Sequence, residues 1–310
     1  MNPAEPSAHA AHGHARSGAL AAGTCYLIWG LVPLYWKPLA PVDPVELIAH
    51  RQVWSLVLLL LLLFATEGSL RPVAASFRSA RAIARLALGA GLLTVNWLVY
   101  VWGVNTGHII ETSLGYFLVP LFSVLAARFL LQETLRRVQW MAVGLAAIGV
   151  GTMILEAGRI PWFALALAGS WSWYGVLRKR STAGAIPGLA SETLLLAPFA
   201  LGYLLWRHHT GAGALGRVDL KIHLLILSSG LVTAVPLLLF AHGARHIRLS
   251  TLGVLQYLAP SVQLLLGVCV YHEPFSGSRL ARFVLIWVAL ALYTGDNLLA
   301  QRAARPGKPG

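Results

Sequence analysis

Two stretches set one above the other decide the reading: LGYFLVPLFSVLAARFLLQE at 114–133 and VLQYLAPSVQLLLGVCVYHE at 254–273. Each is apolar over most of the roughly 20 residues a helix needs to cross a bilayer core. A slide of 140 positions aligns Leu118 with Leu258, Pro120 with Pro260, Leu125 with Leu265 and Glu133 with Glu273. Upstream, the same slide pairs Tyr100 with Phe240 and Gly103 with Gly243. A slide of 142 pairs Trp29 with Trp171 and Lys37 with Lys179. Ordered matches spread over several segments point to an internal repeat.

Working outward, ten apolar segments are long enough to span lipid: 18–39, 46–65, 84–104, 109–131, 138–155, 160–178, 189–206, 222–241, 250–271 and 282–300. Helices are expected rather than strands, because an open sheet in lipid would leave backbone groups unpaired. The fold class is thus an all-α membrane protein with ten transmembrane helices in two five-helix repeats. Five is odd, so the second repeat enters the membrane inverted relative to the first, which places a substrate site near the midplane between them. The expected layout is a disordered cytoplasmic tail at 1–17, a first repeat at 18–156, a second at 157–300 and a cytoplasmic tail at 301–310.

Composition agrees. Hydrophobic residues make up 57% and charged residues 11%, against about 45–50% and about 25% in soluble domains. The net charge of +13 forms no continuous basic stripe, so nucleic acid is not an expected partner. The basic residues lie at segment ends, where they set topology. With the N-terminus inside, fifteen Lys and Arg fall on the cytoplasmic side and seven on the outer side. A multi-pass inner-membrane protein with both termini in the cytoplasm follows. No cleavable signal peptide is expected ahead of the first segment. Cys25 and Cys269 sit in apolar runs and imply no disulfide framework. His9, His12 and His14 have a spacing that could hold a metal weakly, but a polar tail explains them as well. No metal and no cofactor is expected.

Ionisable groups within lipid cost about 2.5–3.5 kcal/mol each on insertion scales, so those that remain usually face a cavity or a partner. Glu46, His50 and Arg51 open the second segment, with Glu46 and His50 four apart on one face. They read as a substrate-anchoring or proton-exchanging cluster, or as interfacial groups at a helix end. Glu192 opens the seventh segment, where it either faces Glu46 across the repeat axis or serves as a helix N-terminal acid favoured by the dipole. Asn96, Tyr116 and Gln256 add hydrogen-bonding capacity, Tyr116 and Gln256 occupying one repeat position. Glu111 reads as a helix cap. Trp29 and Trp171, mid-span at matching positions, are candidates for a pocket wall, whereas Trp36 and Trp102 read as an interfacial belt. Glu133 and Glu273 take structural roles, each in a local hairpin with the basic residues that follow. Pro120 and Pro260 kink their helices. Asp296 and Asn297 read as a dimer contact or interface.

Longer motifs carry a resemblance. YLIWGLVPLYWKPL (26–39), ELIAHRQVWS (46–55), NWLVYVWGVNTGHIIETSLGYFLVPL (96–121), SETLLLAPFALGYLL (191–205), GLVTAVPLLLF (230–240) and LSTLGVLQYLAP (249–260) resemble the RarD subgroup of EamA-type proteins. These belong to the drug/metabolite transporter superfamily. The likeness runs from Gly18 to about Leu299. It implies a ten-helix permease around a central cavity, with the fifth and tenth helices peripheral and open to a homodimer contact. The subgroup's usual label, "chloramphenicol-sensitive protein", implies small-molecule or drug export. The Trp-rich SWSWYG (170–175) departs from the family pattern.

The function expected is a secondary transporter of small metabolites or drugs, coupled to protons or driven by the substrate gradient alone. No G-x-x-x-x-G-K-[ST] motor motif occurs. The rivals are a membrane-embedded enzyme, which would want a motif such as H-E-x-x-H, and a channel, which would want charged rings or a repeated filter. The sequence contains neither.

Overall fold

The computed structural model describes residues 8–106, 109–157, 160–270 and 277–303, and among them there is no strand. Twelve α-helices follow one another: α1 Ala8–Trp36, α2 Pro44–Glu67, α3 Arg71–Ser76, α4 Ala80–Asn105, α5 Ile109–Leu130, α6 Arg137–Ala157, α7 Trp162–Arg180, α8 Ala185–His209, α9 Leu220–His246, α10 Leu249–Leu255, α11 Leu258–Cys269 and α12 Gly277–Ala303. Each of the ten expected segments coincides with a long helix, except that the ninth is divided into α10 and α11. Among the described residues six spans are long and apolar enough to cross a membrane. α1 begins at Ala8, so the helix extends into the stretch read as a tail. It is anchored there by His14, stacked on His246 at 5.5 Å, and by Ser17, bonded to His242 at 3.0 Å.

Local chemistry fixes the ends. Asp43 caps α2 by accepting from the N–H groups of Val45 and Glu46, both at 3.0 Å, with Pro44 in the first helical position where no donor is lost. Gly68 closes α2 in the left-handed region, φ +62°. The backbone contributes to the split between α10 and α11. Pro260 cannot donate to the carbonyl of Gln256, and that carbonyl accepts instead from Ala259 at 3.2 Å.

The bundle is apolar outside as well as inside. Phe129, Met141, Ile148, Phe199 and Leu220 are all more than half exposed on helix faces, which suits a lipid surround and would be a liability in water. The protein is a membrane protein. Small residues let helices approach closely. A Cβ on Gly230 of α9 would lie 2.3 Å from the Trp54 backbone of α2, and one on Gly30 of α1 would lie 2.6 Å from Val262 of α11.

The main packing partners are α1 with α9 and α11, α2 with α8 and α9, α4 with α7 and α8, α5 with α7, α6 and α10, and α6 with α12. The last pairing bears on the fifth and tenth helices, which were expected to be free for a second copy. Arg136 pairs with Asp296 at 2.6 Å, and Asn297 accepts from Arg136 and from Gln139 at 2.9 and 2.8 Å. Asp296 and Asn297 are therefore engaged within the chain. One end of the bundle gathers His14 and Ser17, residues 130–139, Lys179 and Arg180, residues 247–250, and Asp296. Both described ends of the chain thus lie on the same side.

Candidate functional site

A cavity of about 290 Å³ opens between α2, α4, α8 and α9. Apolar side chains make most of its wall, among them Leu59, Leu93, Leu189, Leu196, Phe199 and Leu237. Gln52, Ser55, Thr94, Thr193, Tyr203 and Thr233 add neutral polar groups, and Trp97 adds an indole. Among the described lining residues two are charged, Arg51 and Glu192.

Glu192 is a satisfied anion. Arg178, in the last turn of α7, donates to its Oε1 at 3.3 Å, and the Tyr174 hydroxyl donates to Oε2 at 3.0 Å. Tyr174 and Arg178 are four residues apart and share a helix face, so α7 presents both to α8 at once. Arg178 also donates to the Ala185 carbonyl at 3.3 Å. Two glycines make room. A Cβ on Gly188 would meet Arg178 Nη1 at 2.6 Å, and one on Gly89 would meet Glu192 Oε1 at 2.9 Å.

Arg51 is different. It is 8% exposed. Its Nε donates to Thr233 Oγ1 at 2.8 Å, and its guanidinium carbon lies 3.8 Å from the Trp97 ring centroid and 5.0 Å from that of Trp36. No carboxylate pairs with it among the described residues. Tyr35, Tyr100 and Tyr116 stand within electrostatic reach. Trp36, expected in an interfacial belt, is thus engaged with Arg51.

Glu46 and Glu192 do not form the facing pair that was one of the two readings of Glu192, and Glu192 is not in the first turn of its helix, which was the other. Glu46 is in the first turn of α2 and Glu192 lies two turns into α8, and each has its own arginine. Glu46 Oε2 accepts from Arg207 at 3.0 Å and Oε1 from the Ala214 N–H at 2.6 Å. That carboxylate ties the start of α2 to the end of α8 and the loop beyond. His50 Nε2 sits 3.7 Å from Glu46 Oε1, and neither residue lines the cavity.

Other expected cavity residues sit in helix contacts. Asn96 donates to the Leu167 carbonyl and to Ser170, both at 3.0 Å, fastening α4 to α7. Trp29 and Trp171 meet edge to face at 5.2 Å in an aromatic cluster with Tyr174 and Phe240. Within SWSWYG, Trp171 and Tyr174 point into that cluster while Trp173 is half exposed. Gln256 is buried and accepts from Ser123 at 3.3 Å. Tyr116 stays 40% exposed beside Tyr100, ring centroids 6.0 Å apart.

Glu133 is structural, but not through the hairpin expected. It accepts from the N–H groups of Leu249 and Ser250 at 2.8 and 3.1 Å and from the Ser250 hydroxyl at 2.6 Å, with Arg248 3.4 Å away. It therefore caps α10 from the other half of the chain. Pro120 lies within unbroken α5. Glu273 and the side chain of Glu111 fall outside the described residues. Among the described residues no three His, Cys, Asp or Glu side chains are grouped to hold a metal.

Sequence reasoning passed over Arg178, counted with Lys179 and Arg180 as a surface charge, and Thr233, a hydroxyl in an apolar run. The one available signal for Arg178 was its four-residue spacing from Tyr174.

A model of the EamA-like transporter family matches residues 16–155. "Protein RarD" of Streptomyces exfoliatus is 42% identical over 94% of this chain and 92% of its own length. The chain belongs to the EamA-like transporter family, among its RarD members. "Uncharacterized transporter YojE" of Bacillus subtilis is 40% identical over 95% of this chain and 99% of its own. "Chloramphenicol-sensitive protein RarD" of Pseudomonas aeruginosa is 30% identical over 94% and 98%. A crystal structure 22% identical in sequence superposes over 93% of this chain and 99% of its own with a TM-score of 0.70, a likeness of fold.

Proposed function

We propose that the protein is a secondary transporter that carries a small organic molecule across the inner membrane, by alternating access to the cavity between α2, α4, α8 and α9. The observation that carries this is the symmetry of the packing around that cavity. Exchange α1 with α7, α2 with α8, α4 with α9, α5 with α10–α11, and α6 with α12. The contact of α1 with α9 then becomes that of α7 with α4, and α5 with α7 becomes α11 with α1. The contact of α2 with α9 becomes that of α8 with α4, while α2 with α8, α5 with α10, and α6 with α12 map onto themselves. Such pairing supports ten crossings in two inverted halves, 18–156 and 157–300, with the cavity on their shared axis. Relatives whose names call them transporters support the same reading.

Orientation follows from charge. The end that holds both described chain termini also holds Arg136, Lys179, Arg180 and Arg248, so the positive-inside rule makes it the cytoplasmic end. Residues 1–17 and 301–310 then lie on one side of the membrane. Cysteines introduced at both tails and labelled with an impermeant maleimide should react only after the cytoplasmic face is opened, and reaction from opposite faces would sink the inverted-repeat reading.

Uptake into proteoliposomes is the direct test of transport. Saturable uptake at carrier-like turnover, lost in Arg51→Ala, supports the proposal. Running the assay with and without an imposed pH gradient decides between proton-driven exchange and a substrate-gradient uniporter. Flux that fails to saturate would favour a channel.

A further inference from the structure

We infer that Arg51 anchors the negatively charged end of the cargo, and that the substrate class is small monocarboxylates with an apolar or aromatic body. This rests on the transport reading for its meaning, but the binding site itself is argued from charge and shape.

Among the described residues the cavity wall holds one cation and one anion. The anion, Glu192, is answered by Arg178 and Tyr174. The cation, Arg51, has a hydroxyl on Nε and two indole faces, and no acid among the described residues. A charged residue in a membrane interior is costly, and cation–π contacts return only part of that cost. A sequence selected only for stability would place a leucine there or add an acid. Thr233 and the two rings fix the guanidinium by its Nε edge and its faces. That leaves the two terminal nitrogens as the fork that a carboxylate engages bidentately.

Charge count sets the class further. One unanswered positive charge suits a monoanion and would leave a phosphate dianion half matched. Beyond the guanidinium the wall is Leu93, Leu196, Phe199 and Leu237 with the Trp97 ring, which suits a hydrocarbon or aromatic body. A volume near 290 Å³ lies at the small end of ligand pockets, enough for a metabolite and too little for a lipid with its chains.

The test uses the purified full-length protein in a neutral detergent. Phenylacetate, 3-phenylpropionate and 4-methylpentanoate are titrated by calorimetry, each against its primary amide, with inorganic phosphate as competitor. At least one acid should bind tenfold or more tighter than its amide. Arg51→Gln should erase that preference and Arg51→Lys should keep part of it. Thr233→Val should weaken the acid severalfold and leave the amide unchanged. If Arg51→Gln does not fold, Thr233→Val decides alone. Equal binding of acid and amide, binding of none of the acids, or a preference that survives Arg51→Gln or is untouched in Thr233→Val overturns the inference. So does displacement by phosphate at equal concentration, which would point to a phosphate or lipid headgroup instead. Acid-selective binding without uptake in proteoliposomes would refute the transport reading and leave the anchor standing.

Discussion

The two charges that line the cavity are housed in opposite ways. Glu192 meets an arginine and a tyrosine hydroxyl, with Gly89 and Gly188 clearing the space they occupy. Arg51, on α2, has Thr233 and two ring faces. A matched buried charge holds helices in register. An unmatched one is held ready for something that arrives from outside. If Arg51 anchors the cargo as inferred, the contrast separates a residue kept for architecture from one kept for binding, and it can be broken from either side.

The largest effect should come from the matched pair. Removing one partner of a buried ion pair leaves the other uncompensated, at a cost of about 3–5 kcal/mol. Arg178→Leu should therefore lower the melting temperature in detergent strongly. Glu192→Gln, which leaves the buried Arg178 guanidinium without its carboxylate, should lose a comparable amount, and the double variant should recover much of either loss. A double-mutant cycle reads this coupling directly. Arg51→Gln should instead melt at or above the wild-type temperature while losing uptake, because it relieves a buried charge that no carboxylate answers among the described residues. An Arg178→Leu protein as stable as wild type would erase the distinction.

Smaller effects should follow at the supports. Gly188→Ala brings a methyl within 2.6 Å of Arg178 Nη1, so the guanidinium must move off Glu192. About 1–3 kcal/mol is expected, as for overpacking. Loss of a helix cap is usually worth about 0.5–2 kcal/mol, so Glu133→Ala should lower the melting temperature less than Arg178→Leu. It should also speed amide exchange at Leu249 and Ser250 ahead of the rest of the bundle. Uniform exchange along α10 would argue that the cap is idle.

How much of this the sequence discloses depends on range. The helices are legible because a long apolar run in lipid has few alternatives. Arg51 and Glu192 are legible because charge in such a run is costly. What long-range contacts decide is not. Pro120 and Pro260 align under a slide of 140 positions, yet α5 runs unbroken while α10 and α11 part at Gln256 and Tyr257. At the break the Gln256 side chain is tied to Ser123 and the Tyr257 hydroxyl to the Phe117 carbonyl, contacts with α5 that a periodicity does not encode. Glu133 precedes Arg136 and Arg137 and so reads as a hairpin partner, but Arg136 goes to Asp296 and Glu133 to the start of α10. In the run Arg178–Lys179–Arg180 only the first turns inward. One-dimensional charge counting treats all three alike.

The finest test of the contrast is the ring beneath Arg51. Trp97 lies closer to the guanidinium than Trp36 does, and indole binds a cation more strongly than benzene does. If Arg51 carries an unmatched charge, this stack is a main reason the free protein tolerates it. Trp97→Phe should then cost a fraction of about 0.5–2 kcal/mol in stability, with a correspondingly small loss of acid affinity, and Trp97→Leu should cost more. In the Arg51→Gln background both changes should shrink to what lost packing alone predicts, because no cation remains for the ring to face. Strict additivity of the position 51 and position 97 variants would mean that the ring merely fills space. Arg51 would then owe its place to Thr233 and to whatever the cavity takes up.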